Sequence, residues 1–266
     1  MYAFELHRAK DVDEAARLLA KSGGRPLAGG QSILAAMKLR LAQPGTLVDL
    51  SGIQELRGIR KEGNAIVVGA TARHAEVATS GDVKSAVPSL AALAETIGDR
   101  QVRNMGTIGG SIANNDPAAD WPAAVVGLNA TVITNRRRIA ADDFFKALYE
   151  TALAADEIIT AVSFPTPKRA AYEKFRNPAS RFALVGVFIA QLADDSVRVA
   201  VSGAGPTVFR CKPIEDALAK SFTADAARNV KVASAGLNND LHASPEYRAH
   251  LVAVLAARAV AAATTS

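Results

Sequence analysis

The sequence contains two Gly-Gly pairs, one in Pro26-Leu27-Ala28-Gly29-Gly30-Gln31-Ser32 and one in Thr107-Ile108-Gly109-Gly110-Ser111-Ile112-Ala113-Asn114-Asn115-Asp116-Pro117. Each pair is followed by a serine and by a helix-like pattern. Glycine permits positive φ and close backbone approach, so consecutive N–H groups can point at one anion. A helix that starts just beyond adds its own unpaired N–H groups. The two loops together predict one diphosphate held from two sides, although each alone fits an ordinary turn equally well.

Positive φ is expected at Gly110 in particular. A residue with a Cβ would be strained there by about 1–2 kcal/mol, because the left-handed region crowds the side chain. A larger residue at this position would also occupy the space through which the backbone approaches an anion.

The pattern around the first loop predicts a β-α-β-α-β unit. Asp11 is placed to cap its first helix, and Gly23 follows the end of that helix. A hairpin turn is expected at Lys61–Asn64. Pro165–Arg169 interrupts the pattern, so we place a domain boundary there. Three strands and then three helices are predicted beyond it, which is an α+β arrangement.

The composition excludes several classes of protein. Hydrophobic residues make up 49% of the chain and charged residues 21%, which is typical of a globular protein. The net charge of +5 is spread along the sequence, without the basic, aromatic-rich face that nucleic-acid binding needs. The one basic run, Arg136-Arg137-Arg138, is interpreted as a hairpin tip, with an anion or partner contact as the alternative.

The single cysteine, Cys211, cannot form a disulfide within the chain or ligate an iron–sulfur cluster or zinc ion. The first residues lack the basic and apolar regions of a signal peptide. Arg248, His250 and Arg258 interrupt the apolar C-terminal region, so no membrane span is expected. These features predict a cytoplasmic protein.

Catalytic motifs are missing from the sequence. No G-x-G-x-x-G follows a strand, no Walker lysine motif occurs, and the histidines lack metal-ligand spacing. We therefore predict no catalytic side chain and no metal ligand in this chain. Anion-cradling loops without a nucleophile or base are typical of a flavoprotein electron carrier, in which the cofactor carries the chemistry.

The two loops, with Asp116-Pro117 and Asp120 downstream, resemble the FAD-binding medium subunit of molybdenum hydroxylases. The carbon monoxide dehydrogenase medium subunit is the most similar type, and the same module forms the middle segment of xanthine dehydrogenase. The resemblance runs from Phe4 to the start of the last helix at Ser244–Arg248. The paired motif at this spacing is far more specific than either loop alone.

The resemblance implies an α+β protein. Its FAD-binding part is of the PCMH/vanillyl-alcohol-oxidase type, with two α/β subdomains at residues 1–54 and 55–166. A C-terminal flavoprotein domain at residues 167–266 follows, with a three-stranded antiparallel sheet and a helical bundle.

The resemblance also implies an FAD site. Ala28–Ser32 and Thr107–Ser111 would hold the diphosphate, and Asp120 would accept hydrogen bonds from sugar or ribityl hydroxyls. Ile97 and Ile159 would line an apolar adenine or ring pocket. The complete set of implied cofactor-binding residues is Leu27, Ala28, Gly29, Gly30, Gln31, Ser32, Ile97, Thr107, Ile108, Gly109, Gly110, Ser111, Asp120, Ile159, Lys174 and Phe182.

Two further positions come from the resemblance. Lys174 would lie near the flavin or the phosphates. Phe182 stands where the carbon monoxide enzyme has a tyrosine against the isoalloxazine face, so a polar contact from that hydroxyl is lost here. A buried core phenylalanine is the alternative interpretation. Some relatives carry an extra iron–sulfur cluster on a cysteine-rich insertion, which the single Cys211 excludes.

The function that the resemblance implies is electron transfer within a larger enzyme. FAD on this chain would take electrons from a two-iron iron–sulfur small subunit, while a molybdopterin-binding large subunit oxidises the substrate. The implied assembly is a dimer of heterotrimers. Two alternatives remain open, a self-contained flavin oxidase and a non-catalytic nucleotide-binding assembly module.

Overall fold

The structure is a computed structural model that describes residues 1–265. The strands are β1 (Glu5–Arg8), β2 (Arg25–Leu27), β3 (Thr46–Asp49), β4 (Ile59–Glu62), β5 (Ala65–Gly69), β6 (Thr131–Thr134), β7 (Arg138–Ala140), β8 (Phe145–Ala147), β9 (Glu150–Thr151), β10 (Ile159–Pro165), β11 (Arg169–Arg176), β12 (Ala183–Gln191), β13 (Val197–Ser202) and β14 (Phe209–Arg210). The α-helices are α1 (Val12–Ser22), α2 (Ile33–Lys38), α3 (His74–Thr79), α4 (Gly81–Ala86), α5 (Pro88–Glu95), α6 (Arg100–Met105), α7 (Ile108–Asn114), α8 (Trp121–Gly127), α9 (Ala141–Phe144), α10 (Lys212–Lys220), α11 (Ala224–Arg228) and α12 (Pro245–Thr265). A 3-10 helix covers Gln54–Leu56.

The first unit is the predicted β-α-β-α-β arrangement. Its three strands form a parallel sheet in the order β1-β3-β2. Asp11 caps α1 by accepting a hydrogen bond from the N–H of Glu14 at 2.7 Å. Gly23 ends the helix in the left-handed conformation, with φ of 61°. α1 buries Ala15 and Leu19 against the sheet, which leaves the β2–α2 connection, the first glycine loop, at the surface.

The second unit is a five-stranded antiparallel sheet in the order β4-β5-β10-β6-β7. β10 lies at its centre, where Val162 pairs with Val68 on one side and Val132 on the other. All three valines are fully buried. The β4–β5 turn falls within the predicted stretch, at Gly63 and Asn64. Helices α3, α4, α5, α7 and α8 pack with this sheet into the largest hydrophobic core, and the second glycine loop forms the start of α7.

The C-terminal unit is an antiparallel sheet in the order β11-β12-β13-β14. The three expected strands are present, and the two-residue β14 adds a fourth. β12 is buried on both faces, because Phe188 and Ala190 contact the core around α8 while Val187 and Ile189 contact α12. Burial on both faces explains why this strand is a continuous apolar run. The α+β class is confirmed; the domain bounds 1–54, 55–166 and 167–266 stay predictions.

The basic run lies at the tip of the β6–β7 hairpin, as predicted. The N–H of Thr134 donates to the carbonyl of Arg137 at 2.9 Å and closes the turn. Arg136 pairs with Asp156 and Arg137 pairs with Glu157. Glu157 has a side chain only 1% exposed, so its carboxylate depends on Arg137 and on the hydroxyl of Thr134, which donates to it at 2.7 Å.

Glu157 should make stability depend on pH in acid. Its hydrogen bond to Arg137 lowers the pKa of Glu157 from 4.5 to about 2. Because the folded-state pKa is the lower one, the stabilisation is complete above the unfolded value and is lost as the pH falls towards 2. Between about pH 6 and pH 3, the wild type should lose about 2 kcal/mol more unfolding free energy than Glu157→Gln. Urea denaturation at several pH values gives the unfolding free energy of both proteins. An equal loss between about pH 6 and pH 3 in both would contradict the lowered pKa of Glu157.

Candidate functional site

The first glycine loop presents a run of unpaired backbone donors. Within residues 1–265, the N–H groups of Ala28, Gly29, Gly30, Gln31 and Ser32 donate to no backbone or side-chain acceptor. Gly30 has φ of +72°, which glycine adopts without strain. α2 begins directly after Ser32, whose side chain makes no capping hydrogen bond. Five consecutive free donors in a partly exposed turn fit an anion such as a diphosphate.

The second loop is built differently. The N–H of Ile108 donates to the carbonyl of Ala72 at 3.1 Å, and that of Gly109 donates to the carbonyl of Ala70 at 2.9 Å. The N–H of Gly110 donates to the hydroxyl of Thr107 at 3.2 Å. In this loop, only the N–H of Thr107 lacks an acceptor among the described residues. The first loop therefore offers five free donors and the second offers one, and the prediction that both hold one diphosphate stays a prediction.

The expectation of positive φ at Gly110 is wrong. Gly110 lies within α7 and is absent from the glycines with positive φ, whereas Gly30 of the first loop is among them. A Cβ on Gly110 would lie 2.9 Å from the hydroxyl oxygen of Thr107. A Cβ on Gly109 would lie 2.7 Å from the carbonyl oxygen of Ala70. Gly109 is therefore needed for close packing of α7 on the chain around Ala70, Gly110 leaves room for the Thr107 hydroxyl that caps α7, and neither has an unusual backbone conformation.

The first loop contacts the segment that leads directly into the second loop. A Cβ on Gly29 would lie 2.1 Å from the carbonyl oxygen of Met105 and 2.8 Å from Cα of Gly106. Since both are backbone atoms, they cannot swing aside as a flexible side chain can. Gly29 therefore has to be glycine for the first loop to rest on the segment that leads into the second.

A cleft of about 380 Å³ opens where the loops meet. It is lined by Ala28 and Gly29 of the first loop and by Thr107 of the second, together with Arg57 and Arg73. Both guanidinium groups belong to exposed residues, and Arg57 also donates to the carbonyl of Ser51. Glu76 also lines the cleft, and its carboxylate accepts a hydrogen bond from the backbone N–H of Arg73. The two arginines outweigh this one acidic group, so the cleft keeps a net positive lining beside the free N–H groups, which favours an anion.

A buried charged cluster lies between α8 and the C-terminal sheet. Lys174 Nζ donates to the two carboxylate oxygens of Asp120 at 2.9 and 3.0 Å and to the carbonyl of Thr96 at 3.3 Å. The hydroxyl of Tyr172 donates to Oδ1 of Asp120 at 2.5 Å. The side chains of Lys174 and Asp120 are 2% and 5% exposed. The structure thus brings Asp120 and Lys174, both predicted site residues, into contact.

The electrostatics of this cluster depend on its burial. Burial raises the pKa of Asp120, and the charge of Lys174 and the hydrogen bond from Tyr172 offset part of that rise. Burial, reinforced by the neighbouring Asp120, raises the pKa of Tyr172 well above its ordinary value, so the phenol stays a neutral donor. All three donors of the Lys174 ammonium are used within the protein. The cluster joins the FAD-binding part of the chain to β11.

The remaining predicted residues lie in different environments. Ile159 is 5% exposed and belongs to the largest core, and Ile97 is half-buried against that core. Phe182 is 48% exposed, so the alternative that it is a core phenylalanine is wrong. It ends a turn in which its carbonyl accepts from the N–H of Asn177 at 2.9 Å. Contacts of these three residues with a cofactor stay predictions.

Several polar residues at these sites are not apparent from the sequence. Tyr172 lies two positions before Lys174 on β11, so the period of two places both side chains on one face, which is a signal that could have found it. Arg57 and Arg73 line the cleft, but isolated arginines carry no motif. His74 lacks metal-ligand spacing, yet its Nδ1 accepts a hydrogen bond from the indole N–H of Trp121 in the core.

The described residues, 1–265, contain neither a cluster of metal-ligating side chains nor a helix suited to cross a membrane. In this part of the chain, the side chains of His, Cys, Asp and Glu form no group of three or more that could hold a metal ion. Among the described helices, none is both long enough and apolar enough to cross a membrane.

Two family models match the chain. The model described as the FAD binding domain in molybdopterin dehydrogenase matches residues 2–167. The model described as the CO dehydrogenase flavoprotein C-terminal domain matches residues 170–263. Together they account for nearly the whole chain.

Named proteins are similar to this chain along nearly its whole length. The carbon monoxide dehydrogenase medium chain of Hydrogenophaga pseudoflava is 35% identical, over 98% of this chain and 96% of its own length. The nicotine 6-hydroxylase medium subunit of Paenarthrobacter nicotinovorans is 36% identical, over 94% of this chain and 93% of its own. A solved structure of the Hydrogenophaga pseudoflava carbon monoxide dehydrogenase superposes with a TM-score of 0.89 and 33% identity, covering 99% of this chain and 98% of that one. The chain therefore belongs to the family of FAD-binding medium subunits of molybdenum hydroxylases, and FAD is its cofactor.

Proposed function

We propose that this chain relays electrons. It takes them from the iron–sulfur clusters of a two-iron small subunit and passes them to an external acceptor, while a molybdopterin-binding large subunit oxidises the substrate. The observation that carries the proposal is the run of free N–H groups at Ala28–Ser32, packed on the second loop beside Arg57 and Arg73. That arrangement binds and orients an anionic cofactor without a nucleophile or base.

The chain's residues fit FAD. The first loop and the two arginines would hold the diphosphate, and the N–H of Thr107 would add one donor from the second loop. Asp120 would accept hydrogen bonds from ribityl or sugar hydroxyls, held in place by Lys174 and Tyr172. When bound, FAD supplies the capacity to accept electrons singly and to hold two. The protein's part is to bind it, to orient it and to leave one edge open to the acceptor.

The other redox centres belong to partner chains in this proposal. The sequence has one cysteine, and a two-iron cluster needs several thiolate or imidazole ligands. The relatives are named as medium chains and medium subunits, which supports a larger assembly. We further propose that this assembly is a dimer of heterotrimers and that it lies in the cytoplasm. The relatives named for carbon monoxide and for nicotine are almost equally similar to this chain, at 35% and 36% identity. Because similarity in this subunit does not follow the substrate, we assign the choice of substrate to the large subunit.

The isolated, FAD-loaded chain should oxidise no organic substrate. The assay mixes it with aromatic heterocycles, aldehydes and carbon monoxide in the presence of an artificial acceptor, and monitors reduction of that acceptor. The expected result is no turnover until the molybdenum and iron–sulfur subunits are added. Turnover by the chain alone would overturn the relay and favour a self-contained flavin oxidase. Bound FAD that the complete complex cannot reduce would favour a non-catalytic assembly module.

Phe182 should pack on the flavin ring. An aromatic stacking contact contributes about 1 kcal/mol beyond its buried area, so Phe182→Ala should raise the dissociation constant for FAD about fivefold. The flavin absorbance spectrum should shift, while the melting temperature of the FAD-free chain stays unchanged because the side chain is 48% exposed. Leu241→Ala removes an apolar side chain that is 91% exposed and serves as the control. An unchanged spectrum and affinity in Phe182→Ala would refute the contact.

A further inference from the structure

We propose that His74 is a positioning residue for the flavin site, and that it acts with Trp121 by holding Gly106 at the junction of the two glycine loops. The proposal rests on the proposed function, because it concerns the same FAD site. It assigns a role to the buried histidine that no metal or catalytic pattern explains.

His74 contacts Gly106 through both its backbone and its imidazole ring. His74 begins α3 and is 5% exposed. Its backbone N–H donates to the carbonyl of Gly106 at 3.0 Å. A Cβ on Gly106 would lie 2.6 Å from Nε2 of His74 and 2.9 Å from Cδ2, so the edge of the imidazole lies against Cα of Gly106. The ring therefore fixes the position of this peptide.

Gly106 in turn contacts the first loop. Its Cα lies 2.8 Å from the place that a Cβ on Gly29 would occupy. Gly106 also directly precedes Thr107, the residue that caps α7 and lines the cleft. A small displacement of Gly106 would consequently move the second loop and change its contact with the first. The position of the five free N–H groups relative to Thr107 depends on this one glycine.

Trp121 holds the imidazole in place. The indole Nε1 of Trp121 donates to Nδ1 of His74 at 3.0 Å, and Trp121 is fully buried. Because Nδ1 accepts, the neutral ring carries its proton on Nε2. Burial, with Arg103 adding to it, lowers the pKa of His74 to about 4, so the ring stays neutral at physiological pH. Trp121 follows Asp120 directly, which links this support to the buried cluster with Lys174.

Trp121 is the one tryptophan in the sequence, so selectively excited tryptophan fluorescence reports on Trp121 and its immediate surroundings, which include His74. Four variants are compared with the wild type: His74→Ala, Gly106→Ala, the double variant and Gly45→Ala. The last is the matched control, because a Cβ on Gly45 would meet nothing within 4 Å. For each, the dissociation constant for FAD, the Trp121 emission maximum of the FAD-free chain and its melting temperature are measured.

His74→Ala and Gly106→Ala should each weaken FAD binding about tenfold or more and shift the Trp121 emission, whereas Gly45→Ala changes neither. The double variant should bind FAD no more weakly than the worse single variant, because removal of the ring makes room for the added Cβ. If His74→Ala does not fold, Gly106→Ala alone tests the proposal through its emission shift and weaker binding.

The outcomes separate this proposal from the function on which it rests. Unchanged FAD affinity in both single variants, or additive losses in the double variant, would overturn the role of His74. A lower melting temperature with unchanged affinity would show a purely structural role and would overturn it equally. A wild-type chain that binds no FAD would refute the proposed function itself, before any variant is compared.

Discussion

Replacement of Gly29 by alanine should raise the dissociation constant for FAD by about 10- to 100-fold. The added Cβ would lie 2.1 Å from the carbonyl oxygen of Met105, so the two loops have to separate. Overpacking of this kind costs about 1–3 kcal/mol, and each 1.4 kcal/mol changes a dissociation constant about tenfold. Titration of the FAD-free chain with FAD, followed by flavin fluorescence, measures the change.

Gly45→Ala is the matched control for Gly29→Ala. It makes the same chemical change, but its Cβ would meet no atom within 4 Å, and Gly45 lacks positive φ. It should bind FAD as the wild type does. Wild-type affinity in Gly29→Ala would mean that contact between the loops does not shape the cofactor site. A comparable loss in Gly45→Ala would mean that the assay reports general destabilisation.

Removal of one member of the buried ion pair should cost about 3–5 kcal/mol of unfolding free energy. In Asp120→Asn the Lys174 ammonium, 2% exposed, would keep no anionic partner. In Lys174→Met the Asp120 carboxylate would keep one strong donor, the hydroxyl of Tyr172. A buried charge left without its partner is destabilising by this amount. Urea denaturation of the FAD-free chain is the measurement.

The double variant Asp120→Asn/Lys174→Met separates stability from cofactor binding. With both charges removed, most of the lost stability should return, because burying the pair has its own desolvation cost. FAD affinity should stay low, since the carboxylate that would accept from the cofactor's hydroxyls is gone. Lys168→Met, which breaks a pair with Asp195 that is 46% and 67% exposed, should change stability by about 1 kcal/mol or less. Full FAD affinity in the double variant would contradict the role given to Asp120.

Much of the fold follows from local signals in the sequence. Asp11 and Gly23 mark the ends of α1 because capping and a left-handed C-terminus are local effects. The sequence predicts β12 because an apolar run buried on both faces is visible without tertiary information. In contrast, α6 buries no residue, so it has no apolar periodicity to recognise, although Asp99 caps it. β14 has only two residues and depends on pairing with β13.

The candidate site could be predicted only in part. The two Gly-Gly pairs are visible as motifs, but their different roles depend on distant residues. The N–H groups of Ile108 and Gly109 are consumed by Ala72 and Ala70, and nothing local to the second loop indicates this. The pairing of Asp120 with Lys174 joins elements 54 positions apart, which no spacing rule anticipates.

The most direct test of the electron relay is native purification of this chain, followed by analysis of what elutes with it. The account predicts that FAD, molybdenum and iron elute together with the chain, that acid precipitation releases all of the flavin as FAD, and that the flavin in the intact complex is reduced when its substrate is added. A chain that elutes with FAD but without molybdenum or iron, and that reduces an acceptor on its own, would contradict it.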